Sequence, residues 1–147
     1  MIFGPTPLDE ARGAVLAHSL RLPGKVLKKG TVLDQAAIAA LQAAGQGSVV
    51  AARLEPGDVP EDEAADRLAN ALMGPLLARS RASTGRVNLF AETAGLLVVD
   101  AAVVDRLNGL DESLTLGTLP NWTPVSAKEM VATIKVIPFA VPGPVLQ

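Results

Sequence analysis

The chain has 147 residues, which is the usual size of one domain, although two small lobes would also fit. Its residues are 49% apolar but only 3% aromatic, so the core must be packed mainly with Ala, Val and Leu, and there is no stacking platform for single-stranded nucleic acid or a sugar. Thirteen Lys and Arg against fifteen Asp and Glu give a net charge of −2, which provides no basic footprint for duplex DNA or an anionic membrane.

The absence of cysteine excludes disulfides, thiolate metal sites and cysteine nucleophiles. It fits a reducing compartment, and we therefore expect a cytoplasmic protein. The first residues lack a basic stretch followed by an apolar one, and no run approaches the roughly 18 apolar residues of a membrane helix. We therefore expect a chain that is neither exported nor embedded in a membrane.

The first elements predicted are a strand and a β-hairpin. Residues 13–20 alternate as in a strand, Pro23-Gly24 forces a turn, and Val26 and Leu27 resume extended structure. Gly30 follows two lysines at a position that suits a left-handed turn conformation.

A short helix and a strand come next. Asp34 offers a side-chain oxygen to the free N–H groups of a helix over residues 35–44, and Gly45 supplies the stop. Residues 48–54 then read as a strand because they begin with β-branched side chains.

A longer amphipathic helix is predicted to start at Pro60 and to end at Gly74-Pro75, because apolar residues recur at three-to-four spacing between them. Residues 61–63 are acidic and fall in the first turn, where the helix dipole favours negative charge. Residues 76–94 allow two interpretations: two strands joined by a polar turn, or a short strand followed by an irregular loop.

The remaining elements are mostly strands. Residues 96–99 and 113–119 read as strands, and between them Asp100 can cap a helix over residues 101–108. Residues 131–138 give the strongest β signal in the chain. The tail, residues 141–147, is rich in Pro and Gly and is predicted to be a linker.

Residues 32–54 and residues 98–119 show the pattern of an internal repeat, since each segment is predicted to contain a strand, an Asp-capped helix and a second strand. We therefore predict an α+β, β-rich fold in which two short strand-helix-strand units are related by a pseudo-two-fold axis, beside the one longer amphipathic helix. Residues 1–140 are predicted to form a single compact module or two lobes.

No standard catalytic motif is present. The only histidine, His18, lies on the predicted strand and has no second histidine for a zinc site, so a structural role is favoured. The chain contains no serine-nucleophile elbow, no phosphate-binding loop and no dinucleotide-binding turn. We therefore predict no catalytic residues and no metal site.

Two polar segments are candidates for binding. Lys28 and Lys29 could hold an oxyanion as point charges, or they could simply form a solvated hairpin tip. In residues 84–88, Arg86 and Asn88 could contact phosphate or a pterin-like ring, or serve the scaffold. The acids of residues 55–63 could bind Mg²⁺, but helix capping explains most of them.

Three stretches carry a family resemblance: residues 26–69 (VLKKGTVLDQAAIAALQAAGQGSVVAARLEPGDVPEDEAADRLA), residues 85–120 (GRVNLFAETAGLLVVDAAVVDRLNGLDESLTLGTLP) and residues 130–141 (MVATIKVIPFAV). They resemble the N-terminal region of bacterial molybdopterin-binding proteins, and the first also resembles a segment of molybdopterin molybdenumtransferases that belongs to an irregular β-rich region. The sequence departs from this pattern at residues 126–128, Ser-Ala-Lys, where a turn glycine is expected.

The resemblance implies a role in molybdenum-cofactor biosynthesis or handling. In that family such a module precedes a molybdopterin-binding domain, which would then be the partner of this chain. The leading hypothesis is an accessory or substrate-presenting module that contacts molybdopterin or its nucleotide form through Lys28, Lys29, Arg86 and Asn88. The alternatives are a structural or oligomerisation module that dimerises through residues 131–138, and a stand-alone transferase with Mg²⁺ held by residues 55–63.

Overall fold

The computed structural model describes residues 1–147 and divides them into two compact units, Met1–Asp58 and Val59–Gln147. Each unit has its own hydrophobic core. The fold is mixed α+β and β-rich, with 24% of residues in helices and 36% in strands, which confirms the predicted class. None of the three helices is long and apolar enough to span a membrane.

Unit 1 contains five strands and one helix: β1 Ile2–Pro7, β2 Val15–Leu16, β3 Leu20–Leu22, β4 Lys25–Leu27, α1 Gln35–Ala43 and β5 Ser48–Arg53. β5 lies between β1 and β2 in an antiparallel three-stranded sheet. β3 and β4 form a separate hairpin with Leu22 paired to Lys25, as Pro23-Gly24 predicted. The core contains only aliphatic side chains, chiefly Leu8, Leu16, Leu33, Ile38, Leu41 and Val49.

The strand predicted over residues 13–20 is two strands with a bend between them. Leu16 pairs with Ala51 of β5 and also donates its N–H to Thr31 O, so this short segment is held on both sides. The chain then turns away at residues 17–18 to begin the hairpin, which places His18 in an exposed bend rather than on a strand.

Helix α1 begins and ends as the sequence predicts. The Asp34 carboxylate accepts the N–H of Ala37 at 2.7 Å, which satisfies a donor that the first helical turn leaves free. At the other end Gly45 has φ +76°, and the Gln46 N–H returns to Leu41 O.

Unit 2 holds most of the remaining elements: α2 Glu61–Leu72, β7 Leu77–Arg79, β8 Arg86–Ala91, β9 Gly95–Leu96, α3 Ala101–Leu110, β10 Leu114–Thr118, β11 Pro124–Val125, β12 Met130–Val136 and β13 Ala140–Pro142. Its first strand is β6, Asp58–Pro60, which begins at the last residue of unit 1 and pairs with β13. A four-stranded antiparallel sheet has the order β10-β12-β8-β7 and packs its inner face against α2 and α3. Residues 76–94 thus contain two strands, the first of the two interpretations.

Three expectations for unit 2 differ from the structure. Of the strand predicted over residues 96–99, only Leu96 lies in a strand, together with the preceding Gly95. Leu97 and Val99 instead donate their N–H groups to Thr123 O and Asn121 Oδ1 of an irregular turn. The predicted linker, residues 141–147, is a short strand followed by a 3₁₀ turn, Gly143–Leu146, and Val141 is fully buried. Apolar side chains between the prolines explain this, since Val145 and Leu146 pack on the core.

The predicted internal repeat of residues 32–54 and 98–119 is limited in the structure to a capped helix and the strand that follows it. Asp100 accepts the N–H groups of Ala102 and Val103 just as Asp34 caps α1, and a strand follows each helix. Val32 forms only an isolated bridge, and residues 98–99 form no strand, so neither copy begins with a strand of its own. The following strands also differ, since β5 is central in its sheet and β10 lies at an edge.

Candidate functional site

The segment of residues 84–88 begins with a tight turn whose shape is fixed by its neighbours. Thr84 and Gly85 both have positive φ, +51° and +68°, as in the type I′ turn that matches the twist of paired strands. Ser83 and Arg86 exchange two backbone hydrogen bonds across it, of 3.0 and 3.1 Å. The turn therefore sets the direction in which β8 starts, and Arg86 is the first residue of that strand.

Two further hydrogen bonds fasten this turn to the rest of unit 2. The buried Gly85 donates its N–H to Asp62 Oδ1 at 2.7 Å and accepts the Val136 N–H at 2.7 Å. A Cβ at this position would overlap the Val136 carbonyl oxygen and lie 2.9 Å from Glu61 Oε2. Part of the polar character of residues 84–88 is therefore structural, and only glycine fits at position 85.

Arg86 and Asn88 lie on the same, outer face of the sheet. Successive side chains of a strand point to opposite faces, and the intervening Val87 and Leu89 are buried in the core. The pairing of β8 with β12 sets Lys135 opposite Arg86 and Thr133 opposite Asn88. The sheet thus collects four polar side chains that are distant in sequence, and we call them the sheet-face cluster: Arg86, Asn88, Thr133 and Lys135.

Asn88 is oriented by its neighbours. Thr133 Oγ1 donates to Asn88 Oδ1 at 2.8 Å. The Asn88 N–H donates to Ser80 Oγ at 3.0 Å, and the Asn88 carbonyl oxygen accepts the Ser80 N–H at 2.9 Å. Because its side-chain oxygen already accepts the Thr133 hydrogen bond, the side-chain amide nitrogen of Asn88 is left as the available donor.

The electrostatics of the cluster favour an anion. Arg86 and Lys135 are directly opposed, which is unfavourable for two like charges on neighbouring strands. Neither cation forms an ion pair. The residues that continue this face carry no charge: Phe90 on β8, Ala78 on β7 and Ser80 just after it, and Thr115 and Gly117 on β10. A guanidinium fork, an ammonium and an amide donor together provide the groups that bind phosphate or sulfate oxygens.

Lys28 and Lys29 belong to unit 1 and are both exposed, directly after β4. The Lys29 N–H donates to Ser19 Oγ at 2.9 Å, and the Thr31 N–H to Lys28 O, so the two lysines form a turn that closes on Gly30 with φ +84°. The predicted site residues therefore fall into two groups, the lysine turn and the sheet-face cluster, one in each unit.

Several acids of residues 55–63 have partners within the chain, and Glu61, Asp62 and Glu63 lie in the first turn of α2 as predicted. Glu55 and Asp58 both lie 2.7 Å from the amino group of Met1, and these hydrogen bonds raise the pKa of that amine. The same contact, followed by the Glu55 N–H, lowers the pKa of Asp58. No side chain forms an N-cap hydrogen bond at α2, because Pro60 occupies the cap position. Asp62 instead accepts the Gly85 N–H, and Glu63 pairs with Arg67 one turn along the helix. No group of three or more His, Asp or Glu side chains is arranged to hold a metal ion.

A second surface of unit 2 is apolar. A cavity of about 190 Å³ lies between the end of α2, helix α3 and the inner face of the sheet. An adjoining groove of about 350 Å³ shares Leu77, Leu97 and Val98 with it. Its rim contains Leu76 and Leu96, and the exposed fractions of Leu76, Leu96 and Val98 are 63%, 54% and 67%. We call this surface the apolar groove.

The sequence predicts Arg86 and Asn88 as candidate binding residues, but it does not predict that Thr133 and Lys135 join them. A signal for the missed pair was present, because Thr133 and Lys135 are the polar positions of an otherwise apolar alternating strand, which marks a solvent-facing side. The register that sets Thr133 and Lys135 opposite Asn88 and Arg86 depends on the pairing of β12 with β8, and neither strand's own sequence predicts that register.

Residues 5–53, about a third of the chain and all within unit 1, match the model of a domain of unknown function, DUF8806. No curated protein and no solved structure matches the chain.

Proposed function

We propose that this chain is an accessory module in molybdenum-cofactor biosynthesis or handling, which contacts the phosphate of molybdopterin or of its nucleotide form. The observation that carries the proposal is the sheet-face cluster, where Arg86 and Asn88 join Lys135 and Thr133 on a face without carboxylates. The resemblance of residues 26–69, 85–120 and 130–141 to molybdopterin-binding proteins supplies the identity of the ligand.

Each member of the cluster has a distinct role in this proposal. The planar guanidinium of Arg86 offers two parallel N–H donors to a pair of phosphate oxygens, and Lys135 adds a point charge from the neighbouring strand. Asn88, held by Thr133, presents its amide N–H to a third oxygen or to the pterin. The cluster contains no nucleophile paired with a base, so the module presents the cofactor and the chemistry belongs to a partner.

The partner in this proposal is a downstream molybdopterin-binding domain of a longer protein, and the location is the cytoplasm, whose reducing conditions suit a chain without cysteine. The sequence-based prediction also included Lys28 and Lys29 as phosphate contacts. We assign the principal contact to the sheet-face cluster, because its cations and its amide converge on one rigid surface.

Calorimetric titration of the chain with molybdopterin and with its nucleotide form tests the proposal. Arg86→Ala and Lys135→Ala are each expected to weaken binding at least tenfold. Arg106→Ala is the matched control, because Arg106 is an exposed arginine of unit 2 that forms no ion pair and lies on α3. Absence of binding heat, or equal affinity of Arg86→Ala and Arg106→Ala, would overturn the proposal.

A structural or oligomerisation module is the second candidate, and the apolar groove favours it. The strand of residues 131–138 offers little free apolar surface for such an interface, because β12 is paired on both sides by β10 and β8 and buries Val131, Ile134 and Val136. Exposed Leu76, Leu96 and Val98 offer an alternative surface that a second copy could cover.

Sedimentation equilibrium over a wide concentration range distinguishes this candidate. A dimer that dissociates on Leu96→Ser but not on Val26→Ser would support it, since Val26 is 54% exposed in unit 1. A monomer at every concentration would refute it.

A further inference from the structure

We propose that the solvent face of the β3–β4 hairpin is a docking surface for an acidic segment of a partner protein. The stretch between Glu10 and Asp34 contains no Asp or Glu, whereas it carries five cationic residues: Arg12, Arg21, Lys25, Lys28 and Lys29. Four of these lie in or beside the hairpin. The proposal rests on unit 1 alone and does not depend on the function proposed for the sheet-face cluster.

The pairing of the hairpin separates its two faces. Leu20 pairs with Leu27 and Leu22 with Lys25, and the leucines pack on the core of unit 1. Arg21 pairs with Val26, and both are exposed on the opposite face. Lys28 follows two residues after Val26 and is also exposed. Val26 therefore has one cation, Arg21, beside it on the paired strand and another, Lys28, just beyond the end of its own strand.

Four of the five carboxylates of unit 1 are engaged away from the hairpin. Glu10 pairs with Arg53 at 3.0 Å and Asp34 caps α1. Glu55 and Asp58 pair with the Met1 amine. Asp9, the remaining acid of this unit, forms no ion pair. The charges of Arg21, Lys25 and Lys28 therefore have no carboxylate partner in the structure, and an external anion can provide one.

A protein segment fits this face better than a nucleic acid. Residues 11–33 contain no Phe, Tyr or Trp on which a base could stack, and His18 is their one aromatic ring. The four cations in or beside the hairpin are also fewer than the phosphate contacts that nucleic-acid binding typically uses. Val26, 54% exposed, offers an apolar contact that a phosphate backbone does not use. Neither strand of the hairpin pairs with a third strand, so an extended segment with alternating acidic and aliphatic residues can add its backbone to an edge.

The experiment is a titration of the ¹⁵N-labelled 147-residue chain, followed by NMR, with the peptide acetyl-Glu-Val-Glu-Val-Glu-amide. We expect saturating amide shifts confined to residues 19–30. The charge-reversed peptide acetyl-Lys-Val-Lys-Val-Lys-amide is expected to cause none.

The double variant Arg21→Gln, Lys28→Gln is expected to bind at least tenfold more weakly, while its spectrum outside the hairpin stays unchanged. Lys128→Gln, an exposed lysine of unit 2, is the control and should bind like the unaltered chain. Absence of saturation, equal binding by the double variant, or tighter binding of a ten-nucleotide oligothymidine than of the acidic peptide to the hairpin would overturn the proposal.

Discussion

Replacing Gly85 with alanine should cost far more than replacing a glycine of similar backbone conformation in open space. At φ +68° an L-residue costs about 1–2 kcal/mol. The new Cβ would also meet the carbonyl oxygen of Val136, on the central strand of the sheet, so relief of the overlap must loosen the hydrogen bonds of Gly85 to Val136 and Asp62. Each bond contributes about 0.5–1.5 kcal/mol, which brings the expected loss to about 2–5 kcal/mol.

Gly24→Ala is the matched control for this prediction. Gly24 has φ +70°, and a Cβ added there would have no heavy atom within 4 Å, so the variant carries the backbone cost without the overlap. Urea unfolding followed by circular dichroism measures both, and at a slope of about 2 kcal/mol per M a loss of about 2–5 kcal/mol corresponds to a midpoint shift of about 1–2.5 M. If the two variants differed by less than about 0.5 kcal/mol, the turn would not be held as described.

Three further predictions concern single side chains. Asp34→Ala should destabilise unit 1 by about 1 kcal/mol through loss of the Ala37 cap, whereas Asp34→Asn should cost much less; equal losses in urea unfolding would contradict the role of the cap. Lys135→Gln should raise stability by about 0.2–1 kcal/mol at low salt by removing a like charge opposite Arg86, with a smaller gain in high salt. The Met1 amine lowers the pKa of Asp58, so this carboxylate stabilises the fold above its unfolded pKa and loses that contribution as pH falls through the lower folded value. Asp58→Asn should therefore flatten the acid limb of stability below about pH 4, and an unchanged acid limb would argue against the contact.

Elements set by local chemistry could be predicted from the sequence. The Asp34 and Asp100 caps and the left-handed Gly30 and Gly45 each depend on one residue and its immediate neighbours, and the structure has them where the sequence indicates. A turn glycine is expected at residues 126–128, where the sequence departs from the family pattern. Lys128 there has φ +69°, a conformation that glycine adopts more readily.

Features that depend on distant partners could not be predicted. Val98 and Val99 have strand propensity, but their neighbourhood is set by the turn around Asn121, which takes the Val99 N–H. The prolines of residues 141–147 predict a linker, yet Val141 is buried in the core of unit 2. The composition of the sheet-face cluster likewise depends on the register of β8 and β12, which begin 44 residues apart, as Arg86 and Met130 show.

The strand order of the unit 2 sheet also determines when this protein can complete its fold during synthesis. β8 is translated well before β12, its neighbour in the sheet, and β10 has no other partner. Until residues 130–136 leave the ribosome, β8 and β10 therefore keep unpaired edges, whereas all strands of the unit 1 sheet are present by residue 53. Unit 1 can fold while unit 2 is still being made, and the interval before β12 arrives is the period in which a nascent chain is most exposed to aggregation through its open strand edges.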